Sequence, residues 1–181
     1  MTHFKLTALA LACGAALATT SALADATHGK GHAGMMMIGK AGDPAKVTRT
    51  VTITMHDNYY EPESLSIKEG ETVKFVIKNA GSLVHEFSIA TAAMHAAHRP
   101  EMMMMVDHGV LAPDRIDMEA AKRMQATMGH GMHDEPNSKL LEPGKSAEMI
   151  WHFPNHADLE FACNVPGHYD AGMVGKIKLV H

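Results

Sequence analysis

Cysteine is almost missing from this 181-residue chain: there are two, Cys13 and Cys163. Cys13 lies inside an apolar stretch from Leu6 to Ala18 that follows Lys5 and leads to Ala22-Leu23-Ala24. That succession of a basic start, an apolar run and small residues is the pattern of a cleaved secretory signal, so residues 1–24 are expected to be removed and the mature chain to begin at Asp25. A lipidated Cys13 is the rival reading, and Ala10 stands where a lipobox usually has Leu. With Cys13 gone, Cys163 has no partner within the chain, which excludes an intramolecular disulfide framework in an oxidising compartment.

Long apolar runs are equally scarce. The Leu6–Ala18 stretch is shorter than the roughly 20 residues a membrane-spanning helix requires, and no later segment is as apolar. The expectation is an exported, periplasmic protein without membrane insertion. Charge of one sign is lacking too: 16 basic against 20 acidic residues become 15 against 20, or −5, once Lys5 leaves with the signal. Mild acidity argues against a nucleic-acid partner. No internal repeat is present, and the length suits a single domain with its own hydrophobic core.

What is there begins with a Gly-, Ala- and His-rich stretch, residues 25–46, containing Met35-Met36-Met37 and no periodicity, which reads as a flexible tail. From Val47 the texture changes. Val51, Ile53 and Met55 alternate with Thr50, Thr52 and Thr54; Leu65 and Ile67 continue to the Glu69-Gly70 turn, and Val73, Phe75 and Ile77 resume before Asn79-Ala80-Gly81. The period of two predicts half-buried strands, the last two joined by a tight turn. Further strands are predicted around Glu86 to Ile89, through Met149, Trp151 and Phe153, over Leu159 to Cys163, and from Val174 to Val180. The fold class is therefore all-β, an antiparallel sandwich spanning residues 47–181. It is interrupted at about residues 91–137 by a Met- and His-rich, partly helical insertion, with a helix predicted from Asp114 to Met128.

The chemistry concentrates near the end of the chain. Cys163, His168 and Met173 place a thiolate, an imidazole and a thioether on one loop between two strands, with four residues between successive members. His85, after the Asn79-Ala80-Gly81 turn and at the head of a strand, is the natural fourth donor. Two histidines and a cysteine with a weak axial methionine are the type 1 copper set. Thiolate donates strongly to Cu(II), thioether suits Cu(I) and imidazole tolerates both, so neither oxidation state is heavily penalised. Zinc also takes cysteine and histidine, but structural zinc seldom uses methionine. An isolated Cys163 and His168 would read as a core thiol and a surface imidazole; the four-residue pattern argues otherwise.

These residues, with Pro62, Gly70, Val73, Phe75, Asn79, Pro143-Gly144 and Phe161 through Met173, resemble the plastocyanin and azurin superfamily, the cupredoxins. The resemblance implies a Greek-key sandwich with a nearly preformed site for one type 1 copper, and His85, Cys163, His168 and Met173 as its ligands. Many relatives carry Asn directly after the first histidine ligand, tying the two ligand loops together; here that position is Glu86, a departure that bears on the site's colour and potential.

Within the insertion, Met94, His95, His98, Met102 to Met105, His108, Met118, Met124, Met128, His130, Met132 and His133 form an unusual concentration of soft and borderline donors. Met118, Met124 and Met128 fit one helical face packed on the sandwich. Met102 to Met105 are consecutive and cannot share a face, so some must meet solvent or a partner. With His28, His32 and Met35 to Met37, the insertion fits additional, weaker copper binding. His56, His152, His156 and His181 show no ligand spacing and receive no role.

Two functions remain open: copper tolerance, by binding and redox-cycling copper, and one-electron transfer between periplasmic redox partners through the edge of His168, framed by Val165, Pro166 and Gly172. Resemblance to Met- and His-rich cupredoxins of copper tolerance favours the first. Oxidases and nitrite reductases commonly hold a further copper with His-x-His pairs, and none occurs here, so the chain is expected to be a binder or carrier, not an enzyme.

Overall fold

A computed structural model describes residues 37–129, 132 and 135–181. The strands are β1 (Lys40–Ala41), β2 (Arg49–His56), β3 (Tyr59–Glu61), β4 (Ser64–Lys68), β5 (Thr72–Asn79) and β6 (His85–Ala90). Two helices follow, α1 (Ala92–Asp107) and α2 (Met118–Met128). The last strands are β7 (Ser138–Leu141), β8 (Ser146–His152), β9 (Leu159–Ala162) and β10 (Val174–Val180). They form two five-stranded sheets, in the orders β1-β8-β5-β2-β3 and β4-β10-β9-β6-β7.

Alternation explains the core. Ile53 and Met55 of β2, Leu65 and Ile67 of β4, Val73, Phe75 and Ile77 of β5, and Met149 and Trp151 of β8 are buried, and their neighbours along each strand, Thr72 apart, are more exposed. Between the sheets, the Phe75 and Phe87 rings lie 5.4 Å apart, Phe87 and Phe161 5.5 Å, and Tyr60 and Phe161 5.0 Å. Tilted and edge-on aromatic pairs of this kind add to the burial of their area.

Several expectations need correction. The sandwich is not wholly antiparallel, because β2 runs parallel to β5 and β4 parallel to β10. The Glu69-Gly70 turn does not close a hairpin: β4 and β5 lie in different sheets, so the turn carries the chain across the sandwich. Residues 37–46, taken as the end of a flexible tail, belong to the fold. Ile38 is buried, its carbonyl accepts from Trp151 Nε1 at 3.0 Å, and Lys40 and Ala41 pair with His152 and Trp151. The signal at residues 1–24 and the tail through residue 36 lie outside the described residues.

The insertion holds two helices where one was expected. α1 starts directly after β6, capped by the Thr91 hydroxyl, which accepts from Met94 N at 3.3 Å, and it contains Pro100. α2 is shorter than the Asp114 to Met128 span. The Asp117 carboxylate accepts from Glu119 N and Ala120 N, both at 2.9 Å, and Gly129 ends the helix in the left-handed conformation, φ 68°. Of the methionines assigned to its packed face, Met124 is buried, but Met118 and Met128 are 53% and 42% exposed. Val84, Met102, Met105, Val110, Leu111 and Met124 build a second small core under the insertion. β6 is consequently buried on both faces.

Candidate metal centre

Strand alternation positions the site. On β6, His85 shares the inward face with Phe87 and Ile89, while Glu86 and Ser88 face the insertion. On and just after β9, Leu159, Phe161 and Cys163 point into the same core, and Asn164 faces the insertion beside Glu86. The backbone then loops so that Met173 N donates to His168 O at 3.0 Å and Cys163 N donates to Met173 O at 3.1 Å.

This brings three donors together. Nδ1 of His85 and Nδ1 of His168 are 3.2 Å apart, and Cys163 Sγ lies 3.4 Å from His168 Nδ1 and 4.0 Å from His85 Nδ1. His85 and Cys163 are fully buried and His168 is half-buried. Met173 is fully buried in the core cluster that contains Cys163. Two imidazole nitrogens and a sulfur facing one another at such distances, with no carboxylate among them, form a pocket whose lone pairs suit a single soft or borderline cation.

Surrounding groups set the orientation of each donor. His85 Nε2 is 2.8 Å from Asp57 Oδ1, which assigns the proton to Nε2 and leaves the Nδ1 lone pair facing His168. Asp57 also accepts from the Ser82 hydroxyl at 2.6 Å and from Ser82 N and Leu83 N. Those bonds, the Ser82 hydroxyl's foremost, hold its carboxyl well below the usual carboxylate range. Gly81 is needed here, since a Cβ at that position would overlap Asp57 Oδ1 and come within 2.9 Å of His85 Nε2. Cys163 Sγ accepts from Glu86 N at 3.3 Å, yet burial pushes the thiol up to about 12. A cation at sulfur would reverse that preference, because a coordinating thiol is deprotonated. Burial, then the neighbouring His85, lowers the pKa of His168, which keeps its ring neutral and able to donate a lone pair.

Glu86, the departure noted in the sequence, is buried and joins three segments. Oε2 accepts from Asn164 N at 3.1 Å and Asn164 Nδ2 at 2.7 Å, and Oε1 accepts from the Ser138 hydroxyl at 2.6 Å and lies 3.7 Å from His98 Nε2. Glu86 therefore ties the strand bearing His85 to the loop bearing Cys163, and also recruits α1. Burial raises its pKa, but the His98 contact and the hydrogen bonds outweigh this and leave it lowered; the same contact holds His98 up to about 9. Two more α1 residues grip the loop that follows β9: His95 Nδ1 lies 3.1 Å from Asn164 Nδ2, and Arg99 reaches Asp170 at 3.1 Å while stacking 4.8 Å over the Tyr169 ring.

The comparisons agree with this geometry. A family model described as a cupredoxin-like domain matches residues 12–93. The copper-resistant cuproprotein CopI of Pseudomonas aeruginosa is 44% identical over 167 residues, covering 87% of each chain. The chain belongs to the cupredoxins. CopI of Rubrivivax gelatinosus is 38% identical over 93% of each chain. Among solved structures, auracyanin B superposes with a TM-score of 0.57 at 19% identity, over 80% of this cupredoxin and 97% of that chain. A dithionite-reduced auracyanin from Roseiflexus castenholzii gives 0.51 at 20% identity, over 75% and 99%. These two likenesses bear on the fold, an all-β cupredoxin sandwich.

Sequence reasoning found His85, Cys163 and His168, which converge, and Met173, which is held beside them by the backbone. It missed Asp57 and Asn164, whose roles arise from contacts across 28 and 78 residues with no local signal. In the insertion, six methionines (Met102, Met104, Met105, Met118, Met124 and Met132) line a cavity of about 420 Å³ together with His98, Glu86 and Glu101. Met103, at 48% exposure, is the member of the consecutive run that faces solvent. His28, His32, Met35, Met36, His130 and His133 lie outside the described residues.

Proposed function

We propose that this cupredoxin is a periplasmic protein of copper tolerance that binds one type 1 copper through His85, Cys163, His168 and Met173 and redox-cycles it. The observation that carries the reading is the convergence of Nδ1 of His85, Nδ1 of His168 and Sγ of Cys163. Copper bound there would supply a one-electron couple. The protein residues hold its donors in nearly one geometry: Asp57 orients His85, Glu86 N–H steadies the sulfur, and the Glu86–Asn164 bonds hold the ligand loop. A preformed donor set changes little between oxidation states, which keeps the reorganisation of electron exchange small. The copper-resistance names of the relatives support the physiological role.

The methionine-lined cavity beside Glu86 supports further, weaker copper binding by the insertion, its thioethers suiting Cu(I). Among the described residues no helix is long and apolar enough to cross a membrane, and export rests on the signal at residues 1–24. The alternative, a one-electron carrier, draws on His168, which stays half-buried at the surface beside Val165 and Pro166, where a transient redox partner would dock.

The test is the visible and EPR spectrum of the Cu(II)-loaded protein beside Cys163→Ser. Intense thiolate-to-copper absorption that disappears in the variant is expected, and a colourless wild type overturns the ligand assignment. Deleting the gene is expected to sensitise cells to copper and leave respiration intact; the reverse pattern would establish the carrier instead.

A further inference from the structure

Away from the buried donors, one other group of ligand-type side chains converges among the described residues: Glu69, His156 and His181, whose donor atoms all lie within 4.8 Å of one another. Sequence spacing gave these histidines no role, and only the fold unites them. Glu69 sits in the turn between β4 and β5, His156 in the loop between β8 and β9, and His181 directly after β10. The parallel pairing of β4 with β10 places Lys68 beside Val180, and Glu69 N donates to Val180 O at 2.9 Å, which carries His181 to the carboxylate. Phe153 N donates to Glu71 O at 2.8 Å and brings the other loop to the same turn.

The arrangement is a two-imidazole, one-carboxylate fork. His156 Nδ1 is 2.9 Å from Glu69 Oε1 and His181 Nδ1 is 2.9 Å from Oε2, with the rings 5.6 Å apart. The Glu69 side chain is 15% exposed, while those of His156 and His181 are 75% and 83% exposed, so a held carboxylate meets two rings that ions in solution reach freely. His156 is held in the left-handed backbone region at φ 55°, unusual for a residue with a side chain, and its own N–H donates to Glu69 Oε1 at 3.3 Å. An isolated surface ion pair needs neither a second imidazole on the same carboxylate nor a constrained backbone beneath it.

We propose that Glu69, His156 and His181 form a second, exposed metal site for a borderline divalent ion, with Cu(II) bound in preference to Zn(II). Imidazole and carboxylate donors suit both ions, and the general affinity order of divalent metals ranks copper first. The site has no thiolate or thioether, so Cu(I) lacks the soft donors it prefers. Water completes the coordination. The site lies at the opposite end of β10 from Met173, about 20 Å away along a seven-residue strand, so an ion here would not touch the buried donors. This inference does not rest on the assignment of the buried copper site.

The test compares the full mature chain with the His156→Gln/His181→Gln double variant and with Glu69→Gln, each titrated with Cu(II) alone. EPR and amide NMR are recorded on the same samples. Once the buried site is filled, further Cu(II) is expected to give the wild type a tetragonal, nitrogen-coupled signal and new broadening of amides near residues 68–71, 155–157 and 179–181. Both features should be lost in the double variant and weakened in Glu69→Gln. Cu(II) added beyond the equivalent taken by the buried site that leaves those wild-type amides sharp overturns the proposal, as does equal broadening in the double variant. The thiolate absorption of Cys163, read in parallel, reports the buried site separately, so failure of either assignment is distinguishable from failure of the other.

Discussion

The sandwich and the inserted segment use methionine and histidine in opposite ways. In the sandwich end, His85, Cys163 and Met173 are fully buried, and their positions follow from the pairing of β9 with β6 and β10. In the insertion, the methionines split between a small core and an open cavity wall, and the segment is fastened by that core and by polar contacts from α1: His95 to Asn164, His98 to Glu86 and Arg99 to Asp170. A framework that holds donors still suits one metal geometry, whereas a methionine-lined wall adapts its rotamers to incoming ions. Glu86 is where the two regions meet, with its backbone N–H on Cys163 Sγ and its carboxylate toward the insertion.

Four changes would break or sharpen that contrast. Phe161→Ala removes a ring that contacts Tyr60 and Phe87 between the sheets and is expected to cost about 4 kcal/mol in chemical denaturation. A small loss would mean that the sandwich is not the rigid partner. Glu86→Ala is expected to cost about 3 kcal/mol, because it leaves His98 and Asn164 without their buried partner. It should also shift the visible band of the copper-loaded protein, and an unmoved band would show that the clamp and the donors are independent.

In the insertion, replacing Met102, Met105 and Met124 together by Leu keeps nearly the same volume, so each change is expected to cost under about 1.5 kcal/mol. The number of Cu(I) equivalents retained under reducing conditions should nonetheless fall. Unchanged stoichiometry would make the methionines core residues alone.

The smallest effect concerns pH. The folded pKa of His98, about 9, lies above its ordinary value of 6.5, chiefly through the Glu86 contact. Its contribution to the stability of the metal-free protein is therefore complete below about pH 6.5 and lost as the pH rises through about 9. The difference in denaturation midpoint between wild type and His98→Gln should shrink over that interval. A constant difference would mean that α1 is held by packing.

The strands were legible where alternation was clean: Val174–Val180 matched to the residue, and β2, β5 and β8 to within a few residues. The short strands Lys40–Ala41, Tyr59–Glu61 and Ser138–Leu141 escaped because a few residues carry no periodicity. α1 escaped because Pro100 and a run of four methionines obscure any amphipathic face, even though methionine itself favours helix. At the site, Cys163, His168 and Met173 could be read together because one loop carries all three. Asp57, Asn164 and the fork on Glu69 could not, since each depends on segments that meet only after the sheets pair.

By itself, the amino-acid sequence determined the strand-rich architecture and the donor loop, because side-chain period and loop spacing are properties of neighbouring residues. The tertiary structure decided which sheet each strand joins, that Glu86 clamps the donor loop, and that Glu69, His156 and His181 share one point in space. Those outcomes depend on parallel pairings and on burial, which set the surroundings of a carboxylate or an imidazole through residues far away in the chain.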